Sequence, residues 1–432
     1  MSNNQSFPTR RRSLILTSLI FTSMIFASMT FLVGTALAAT ESVVYSFSGP
    51  TDGTSPGGTL VADGAGNLYG TTPYGGSATS CSCGTVFELS PPTTAGGSWT
   101  ETILYSFAGG SDGAYPSDAL IFDAAGNLYG TTPDGGIDNR GTVFELSPPA
   151  TPGASWSETV LWRFPDSRLK GYIPEGKLVI DANGNLYGTT QFGGANFSSC
   201  NCGTVFELVK PTGTSTSWAE RVLYNFGAVA NDGTSPARNL VFRGGMLYGA
   251  TTSGGTNNMG TVFQLTRQPG LWAETVLFNF SGTDGDIPQG ITFDPAGNLF
   301  GVAYGGGAVC DCGVVYELSP PAVAGNPWTQ TVLYNFTGKS DGAQPFAPLA
   351  RDAAGNLFGT TRNAPRSRGS AFKLMAPSVS GGAWSLAVLH DFGFTVGDGM
   401  HPLGGLIQVK GMYYGTTADG GNGRGTVYSI KP

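Results

Sequence analysis

The chain has 432 residues, of which 22 are Lys or Arg and 29 are Asp or Glu, so its formal net charge is −7. An acidic protein repels phosphate backbones and anionic headgroups, which argues against nucleic acid or a membrane surface as its partner. Glycine is abundant, with 67 residues, but it stands at fixed offsets between alternating apolar residues. This pattern predicts a turn-rich β protein rather than a low-complexity chain.

The first 38 residues have the features of an export signal. Arg10–Arg12 form a basic region, an uncharged stretch spans 13–37, and Ala36-Leu37-Ala38 is a cleavage pattern of small residues. We predict cleavage after Ala38, which removes three arginines and no acids and changes the net charge from −7 to −10. The apolar stretch is long for a signal peptide, so an uncleaved N-terminal anchor is the alternative. We expect a secreted, periplasmic or cell-surface protein with no membrane span in the mature chain.

A motif of six residues, first seen at residues 67–72, occurs seven times along the chain. Its fourth position is always glycine: Gly70, Gly130, Gly188, Gly249, Gly301, Gly359 and Gly415. The mean spacing of these glycines is 57.5 residues, from 345 residues in six intervals. Seven units of this size fill residues 39–432, which predicts a single repeat domain.

Each repeat contains four short segments of alternating polarity. In the second repeat they are residues 118–122, 127–132, 141–146 and 159–164, with a glycine turn at 123–126. A repeat of this length fits a four-stranded propeller blade, which needs roughly 40–60 residues. The sequence therefore predicts an all-β protein that forms a seven-bladed β-propeller with four antiparallel strands per blade.

The two ends of the chain predict how the ring closes. A fourth-strand sequence stands at residues 43–47, near the start of the mature chain, and the chain ends on a third-strand sequence at 425–430. A tryptophan precedes the fourth strand at the six other junctions: Trp99, Trp156, Trp218, Trp272, Trp328 and Trp384. We expect the N-terminal strand to supply the missing outer strand of the last blade.

The repeated phrase Gly-Asn-Leu-Tyr-Gly-Thr-Thr, followed by Gly-Gly and Gly-Thr-Val-Phe-Glu-Leu, resembles the GloVer tandem-repeat family of exported bacterial proteins. The resemblance covers nearly all of residues 39–432 and implies no particular activity. Family members have variable C-terminal anchors, whereas this chain ends at Lys431-Pro432 without a sorting tail. This difference implies release, or retention by the N-terminal segment alone. The strand order is also similar to that of NHL-type propellers, most of which bind partners although some are enzymes.

Loops of two kinds are expected at one mouth of the propeller, which is the candidate site. One kind contains Gly-Gly, as at Gly75-Gly76, and the other contains Asp-Gly-x-x-Pro. The aspartates of the second kind are Asp52, Asp112, Asp232, Asp284, Asp341 and Asp398. Asp-Gly forms turns on its own, so a turn role is the first interpretation and a calcium or ligand contact is the second. No other cofactor is expected.

The six cysteines form three Cys-x-Cys pairs in the same loop of repeats one, three and five: Cys81–Cys83, Cys200–Cys202 and Cys310–Cys312. An even number of cysteines in an exported protein predicts disulfides. Because these repeats are not neighbours, we expect each pair to bridge locally. A thiolate metal site is the alternative, but no histidine lies near the pairs, so no metal site is predicted.

Residues that break the repeat pattern are the candidate ligand-binding residues. Repeat three replaces Asp-Gly with a basic segment, and repeat six replaces Gly-Gly with an arginine-rich segment. The candidates are Arg168, Lys170, Arg362, Arg366, Arg368 and His401. His390 aligns with strand tyrosines and is interpreted as a packing residue. His401 lies in a loop of the candidate mouth and is the candidate acid or base, while no catalytic motif assigns a catalytic residue.

These observations favour a non-enzymatic, monomeric binding protein whose partner is an extracellular glycan or protein. Arginines at a glycine-rich mouth suit an acidic or hydroxyl-rich ligand. One alternative is a lyase or hydrolase that acts on an extracellular polysaccharide through His401. The other is a surface or matrix scaffold.

Overall fold

Strands and turns make up the part of the chain that the structure, a computed structural model, describes: residues 39–432 except 79–80, 95, 152, 168, 196–199, 324, 364–367 and 380. The predicted export segment, residues 1–38, lies outside the described residues. Within the described ranges there is no α-helix, and the one 3-10 turn is Gly110–Asp112. Accordingly, no helix in these ranges is long and apolar enough to cross a bilayer.

The strands follow the sequence repeats in order. Repeats one and two contain β2 Val61–Ala62, β3 Leu68–Thr72, β4 Thr85–Ser90, β5 Thr100–Ser106, β6 Ile121–Phe122, β7 Leu128–Thr132, β8 Thr142–Ser147 and β9 Ser157–Arg163. Repeats three and four contain β10 Tyr172–Ile180, β11 Leu186–Phe192, β12 Thr204–Val209, β13 Ala219–Asn225, β14 Gly233–Arg243, β15 Met246–Gly254, β16 Thr261–Gln268 and β17 Leu271–Asn279.

The last three repeats and the N-terminal strand complete the set. Repeats five and six contain β18 Asp286–Phe293, β19 Leu299–Gly305, β20 Val314–Ser319, β21 Thr329–Asn335, β22 Ala343–Pro345, β23 Ala350–Arg351, β24 Leu357–Asn363, β25 Ser370–Met375 and β26 Ser385–Asp391. Repeat seven contains β27 Gly399–Met400, β28 Ile407–Val409, β29 Met412–Thr417, β30 Asp419–Gly420 and β31 Thr426–Lys431, and β1 is Thr40–Ser46.

The strands of each repeat pair antiparallel in chain order, as in β2-β3-β4-β5 and β18-β19-β20-β21. A single parallel bridge between Lys177 and Asn239 joins the sheets of repeats three and four. In repeat six, the short strands β22 and β23 both pair with β24. The all-β, antiparallel architecture that the alternating sequence predicts is therefore confirmed.

The N-terminal strand pairs with the C-terminal strand. β1 lies antiparallel to β31, and the register joins Thr40 to Lys431 and Ser46 to Thr426. β31 in turn pairs with β29, and β29 pairs with β28. The first strand of the described chain is thus the outer strand of the last sheet, as the chain ends predict.

The turn before the repeated phrase is held by an aspartate. Asp63 Oδ1 accepts hydrogen bonds from the backbone N–H groups of Gly66 and Asn67, at 2.8 and 2.9 Å. Its Oδ2 accepts bonds from the Asn67 amide and the Tyr69 hydroxyl, at 2.8 and 3.2 Å. Burial opposes charge on this carboxyl, but the bonds from Asn67 and Gly66 outweigh burial and lower its pKa. The Asp-x-x-Gly-Asn-Leu-Tyr spacing is therefore a turn motif.

Consecutive repeats are joined by aromatic packing. A phenylalanine after each outer strand packs edge to face on an aromatic residue of the next repeat's third strand, with ring centroids 4.8–5.3 Å apart. These phenylalanines are almost fully buried: Phe47, Phe107, Phe164, Phe226, Phe280, Phe336 and Phe392. Phe47 packs on Phe87 in a cluster that also contains Val427, so repeat seven meets repeat one through the same contact.

Backbone contacts repeat at the same junctions. The residue before each loop proline has a positive φ of 54–63°, and its N–H donates to a carbonyl of the preceding repeat at 2.6–3.2 Å. The pairs are Ser55–Arg424, Tyr115–Cys83, Ile173–Arg140, Ser235–Cys202, Ile287–Met259, Gln344–Cys312 and His401–Arg368. The following proline lies against the glycine after the acceptor, where a Cβ would collide with its ring. Pro56, for example, lies against Gly425.

The first strand of repeat two is shorter than the sequence indicates. Residues 118–122 were expected to form a strand, but β6 contains only Ile121–Phe122. The residues just after the loop proline leave the ladder, and their carbonyl groups accept hydrogen bonds from the preceding repeat. Thr71 Oγ1 donates to Asp118 O at 3.0 Å, and Thr416 Oγ1 donates to Gly58 O at 3.1 Å. We call these residues, 57–59, 117–119, 175–177, 237–239, 289–290, 346–348 and 403–405, the inner segments.

Truncating Phe47 tests whether the N-terminal strand is a full structural element. We expect Phe47→Ala to lower the free energy of unfolding by about 3–5 kcal/mol, because it leaves a cavity at a fully buried site. Phe107→Ala, at an internal junction, should cost the same. Val396→Ala, at an exposed site, should change stability by less than about 0.5 kcal/mol in urea unfolding. A loss below about 1 kcal/mol for Phe47→Ala alone would show that the N-terminal strand is dispensable.

Candidate functional site

A cavity of about 1150 Å³ lies between the inner segments. All seven inner segments contribute to its wall, through residues 57–59, 117–119, 177, 238–239, 289–290, 346–348 and 403. Tyr74 and Arg362 line it at the end where the Gly-Gly loops lie, and Phe122 and Val409 line it at the other end. The volume is large enough for a small ligand or for a few residues of a polymer.

An ion-pair network stands on one side of this cavity. The Arg238 guanidinium lies 3.0 Å from Glu175 Oε2 and 3.9 Å from Asp118 Oδ1. The Arg238 side chain is 40% exposed, and because it lines the cavity this exposed part faces the cavity. Burial raises the pKa of Glu175, and Arg238 opposes that shift. The Asp118 carboxylate also accepts the Gly176 N–H at 2.8 Å, which fixes its orientation.

Lys177 is the second cation of the cavity wall. Among the described residues, no group accepts a hydrogen bond from its ammonium or forms an ion pair with it. Burial lowers its pKa, because the surrounding protein removes water from the charged form. Lys177 lines the cavity, as does Asn239, its partner in the parallel bridge. An enclosed ammonium without an acceptor is suited to bind an anionic or hydroxyl group of a ligand.

The structure separates the candidate residues that the sequence singled out. Arg362 is exposed and lines the cavity at its loop end. Lys170 lies elsewhere, with its ammonium 3.2 Å from the buried Glu220 carboxylate and 5.4 Å from the centre of the Trp162 ring. Arg368 is exposed at a repeat junction, against the backbone of Gly393. Arg168 and Arg366 lie outside the described residues.

His401 has both a backbone and a side-chain role. Its N–H donates to Arg368 O at 2.6 Å, and its φ is 55°. Its Nδ1 lies 2.9 Å from Asp419 Oδ2, with a third of the side chain and half of the aspartate exposed. An imidazole oriented by a carboxylate is an arrangement that acid–base enzymes use. His401 and Asp419 are absent from the cavity wall, although Ala418 beside them lines it.

The glycines at the mouth serve close backbone contact. A Cβ on Gly75 would lie 2.6 Å from Gly53 Cα, and one on Gly135 would lie 2.5 Å from Gly113 Cα. The Gly-Gly loop therefore packs directly on the Asp-Gly loop of the same repeat. Both glycine motifs are explained by this contact, since no side chain fits between the two backbones.

The loop aspartates are occupied by local hydrogen bonds. Asp52 accepts bonds from the N–H groups of Ser48 and Gly49, at 2.8 and 2.7 Å, and from the Tyr45 hydroxyl at 3.2 Å. A tyrosine makes the equivalent bond in three other repeats: Tyr105–Asp112, Tyr224–Asp232 and Tyr334–Asp341. In repeat seven, His390 takes the place of the tyrosine beside Asp398. The loop aspartates thus hold the turns, and His390 packs at a junction between repeats. Calcium binding at these loops stays a prediction.

The cysteine loops contain local disulfides. Cys81–Cys83, Cys200–Cys202 and Cys310–Cys312 are bonded, with Cα atoms 5.2–5.3 Å apart. Each bridge lies against the glycine that follows the buried junction phenylalanine, as at Gly109, Gly227 and Gly338. Arg368 and Arg424 lie against the corresponding glycines, Gly393 and Gly49, of repeats without cysteine. The disulfide and the arginine thus fill the same place at different junctions.

Sequence reasoning missed the inner segments as a site. Asp118, Glu175, Lys177 and Arg238 stand one to three residues after the loop proline of repeats two to four, and the other inner segments contain no charged residue. This departure from the repeat was visible in the sequence. Because these residues lie in or beside a predicted strand rather than in a loop, the sequence alone does not separate them from ordinary strand residues.

Two overlapping parts of the chain, residues 30–196 and 155–372, match the profile of the Gloeobacter/Verrucomicrobia repeat. Together they cover more than half of the 432 residues. The chain belongs to this Gloeobacter/Verrucomicrobia repeat family. The GloVer resemblance of the repeated phrase is therefore confirmed. No curated protein matches the chain significantly.

Two solved structures are similar to this Gloeobacter/Verrucomicrobia repeat protein in fold. The extracellular domain of a hybrid two component system of B. thetaiotaomicron has a TM-score of 0.53 and 13% identity over 91% of this chain and 41% of that chain. PorZ, a surface component of the type-IX secretion system of Porphyromonas gingivalis, has a TM-score of 0.51 and 13% identity over 90% of this chain and 48% of that chain. The repeat protein thus spans less than half of either chain.

A second set of ionisable groups lies between the repeats of this family member. A glutamate of each outer strand from repeats one, two and four faces the loop aspartate at the junction with the preceding repeat. Burial, with the nearby aspartate charge, raises the pKa of Glu101 and Glu158 to about 7 and that of Glu274 to about 8. In repeat three, burial raises the pKa of Glu220, and Lys170 opposes that shift. Burial thus shifts Glu101, Glu158 and Glu274 towards the neutral form, whereas the Glu220 carboxylate pairs with Lys170.

The raised pKa of Glu274 predicts a stability that falls with pH. In the unfolded chain this carboxyl ionises near 4.5, and in the folded protein near 8, beside Asp232 and Tyr224. The stabilisation of the folded protein by the neutral Glu274 carboxyl is therefore complete below about pH 4.5 and is lost as pH rises through 8. We expect Glu274→Gln to be neutral at pH 5 and to stabilise by about 1–2 kcal/mol at pH 9, since water partly screens the site.

Urea unfolding at both pH values checks this expectation. Gln330 occupies the equivalent position of repeat five and donates to Asp284 O at 2.9 Å, so glutamine fits there. Glu220→Gln is the matched control, because it removes the carboxylate that pairs with Lys170 and should destabilise by about 1 kcal/mol at pH 9. An equal effect of Glu274→Gln at pH 5 and pH 9 would contradict the assignment.

Proposed function

We propose that the seven repeats form a closed, seven-bladed propeller. The antiparallel four-stranded pairing, the repeated aromatic junction and the contact of repeat seven with repeat one support this arrangement. Thr416 bonds to Gly58 O, and Gly405 N–H donates to Thr59 Oγ1 at 2.8 Å, across more than 340 residues of sequence. Radial closure covers the sheet edges that an open array of repeats would expose.

The protein is, in this proposal, an exported binding protein whose ligand enters the central cavity. The observation that carries it is the confinement of charge to three of the seven inner segments, where a purely structural ring requires none. The export features of the first 38 residues, the exported family and the extracellular or surface nature of PorZ and the other similar structure support an extracellular location.

The cavity chemistry favours an acidic, hydroxyl-rich ligand, of which a uronate-containing glycan is one. Lys177 supplies an uncompensated cation, and Arg362 supplies a second at the loop end. Asn239 and Gln289 offer amide groups for hydroxyls, and Phe346 offers an apolar face. The Asp118–Arg238–Glu175 network orients polar groups without adding net positive charge.

An extracellular polysaccharide lyase or hydrolase is the second candidate function. The observation that favours it is the His401–Asp419 pair, which holds one imidazole nitrogen and leaves the other for a substrate. Cleavage would then occur at the mouth rather than inside the cavity. A surface scaffold, the third interpretation, requires neither binding nor cleavage.

The binding proposal is tested with polygalacturonate as the acidic polymer and dextran as the neutral one, by calorimetry and by size-exclusion chromatography of the polymer. We expect Lys177→Met and Arg362→Ala each to weaken polygalacturonate binding at least about tenfold, and added salt to weaken wild-type binding. Lys177→Met should also raise the free energy of unfolding by about 1 kcal/mol, because it removes an enclosed charge without a partner.

Lys431→Met, at an exposed site in the last strand, is the matched control and should bind as the wild type does. Equal binding of all variants would show that the cavity is not the binding site for the polymer. Shortened polymer that depends on His401 would replace the binding proposal with the enzyme. An absence of any effect on either polymer, with retained fold, would favour the scaffold.

A further inference from the structure

The junction between repeats six and seven has a nitrogen ligand where the other junctions have none. β26 places His390 at the position that four other outer strands fill with tyrosine: Tyr45, Tyr105, Tyr224 and Tyr334. His390 Nε2 lies 3.1 Å from Asp398 Oδ1 and 3.2 Å from Oδ2. The Asp398 side chain is 1% exposed and that of His390 is 21% exposed.

A third ligand group comes from the N-terminal strand. One carboxylate oxygen of Glu41, one of Asp398 and a ring nitrogen of His390 all lie within 4.8 Å of one another. Among the described residues, no group bonds to Glu41 Oε1, although this atom is buried. At an equivalent junction, the Tyr45 hydroxyl lies 3.2 Å from Asp52 and 3.5 Å from Glu101, within reach of both carboxylates.

We propose that Glu41, His390 and Asp398 bind a divalent transition-metal ion of the Zn²⁺ class. One imidazole nitrogen and two carboxylate oxygens are ligands that Zn²⁺ accepts at about 2.0–2.2 Å. Ligand atoms less than 4.8 Å apart can converge on such an ion with small side-chain movements. The charge of the ion balances the two carboxylates, and the exposed edge of His390 provides a route of entry.

The ion joins the N-terminal strand to the last two repeats. Glu41 belongs to β1, His390 belongs to β26 of repeat six, and Asp398 belongs to the loop that enters repeat seven. β1 is also the outer strand that pairs with β31. Metal binding therefore holds the N-terminal strand to repeats six and seven and strengthens closure.

The test is metal binding to the purified full chain after chelation and dialysis. After Zn²⁺ is added back and the excess is removed by dialysis, we expect one equivalent of Zn²⁺ by mass spectrometry. The midpoint of thermal unfolding should rise by several degrees with Zn²⁺ and fall again with EDTA. Mn²⁺ should bind more weakly, and Ca²⁺ should give no stoichiometric binding.

Two variants copy residues that other repeats contain at the same positions, so each should fold. His390→Tyr copies Tyr105, and Glu41→Gln copies Gln330; each should weaken Zn²⁺ binding at least about 100-fold and abolish the thermal shift. His401→Ala removes the other histidine of the chain and should leave stoichiometry and shift unchanged.

Retention of one Zn²⁺ by His390→Tyr would overturn the site, as would loss of binding in His401→Ala alone. An absence of bound metal in the wild type would also overturn it and would leave His390 and Asp398 as a hydrogen-bonded pair without an ion.

Discussion

Every junction between consecutive repeats depends on a backbone hydrogen bond made by the residue before the loop proline. That residue adopts a positive φ of 54–63°, which costs a non-glycine residue roughly 1 kcal/mol or more, and isoleucine does so at Ile173 and Ile287. The cost is offset because its N–H reaches a carbonyl of the preceding repeat, and its proline packs on the glycine beside that carbonyl. Seven copies of one strained contact fix the angle between repeats, and Ser55 with Arg424 makes the last of them.

This constraint separates the residues that hold neighbouring repeats together from those that are free to vary. Proline, glycine and the junction phenylalanine are required in each repeat, because backbones and rings approach too closely for substitutes. The inner segments, which follow the proline, contribute mainly backbone to the neighbouring repeat, as at Thr71 and Asp118. Most of their side chains line the cavity, and Thr59, Asp118 and Asn239 also accept a backbone N–H of a neighbouring repeat. Charges confined to repeats two, three and four are consistent with selection for a ligand rather than for closure.

Local patterns explain why much of the fold could be predicted from the sequence. Alternation gave the strands, the Asp63-type turns follow from contacts within six residues, and the unpaired ends indicated that β1 completes the last sheet. The cavity could not be predicted in the same way, because Asp118, Glu175 and Arg238 meet only after repeats about 60 residues apart are packed together. For the same reason, Lys170 looked like a free cation in the sequence, while the structure pairs it with Glu220 of the same repeat's outer strand.

The carboxyl groups at the junctions repel each other, and different repeats reduce this repulsion in different ways. A glutamate of the outer strand faces an aspartate of the loop, and two negative charges in a partly buried place repel each other. At three junctions burial and the aspartate raise the pKa of the glutamate, repeat three has Lys170 in place of the aspartate region, and repeat five has Gln330 in place of the glutamate. Only the last junction adds an imidazole beside both carboxylates. At that junction the outer strand of repeat seven is β1, which comes from the other end of the sequence and is not joined to β31 by a hairpin loop. The proposed cation stabilises this junction most, because it holds β1 to repeats six and seven where no hairpin loop does so.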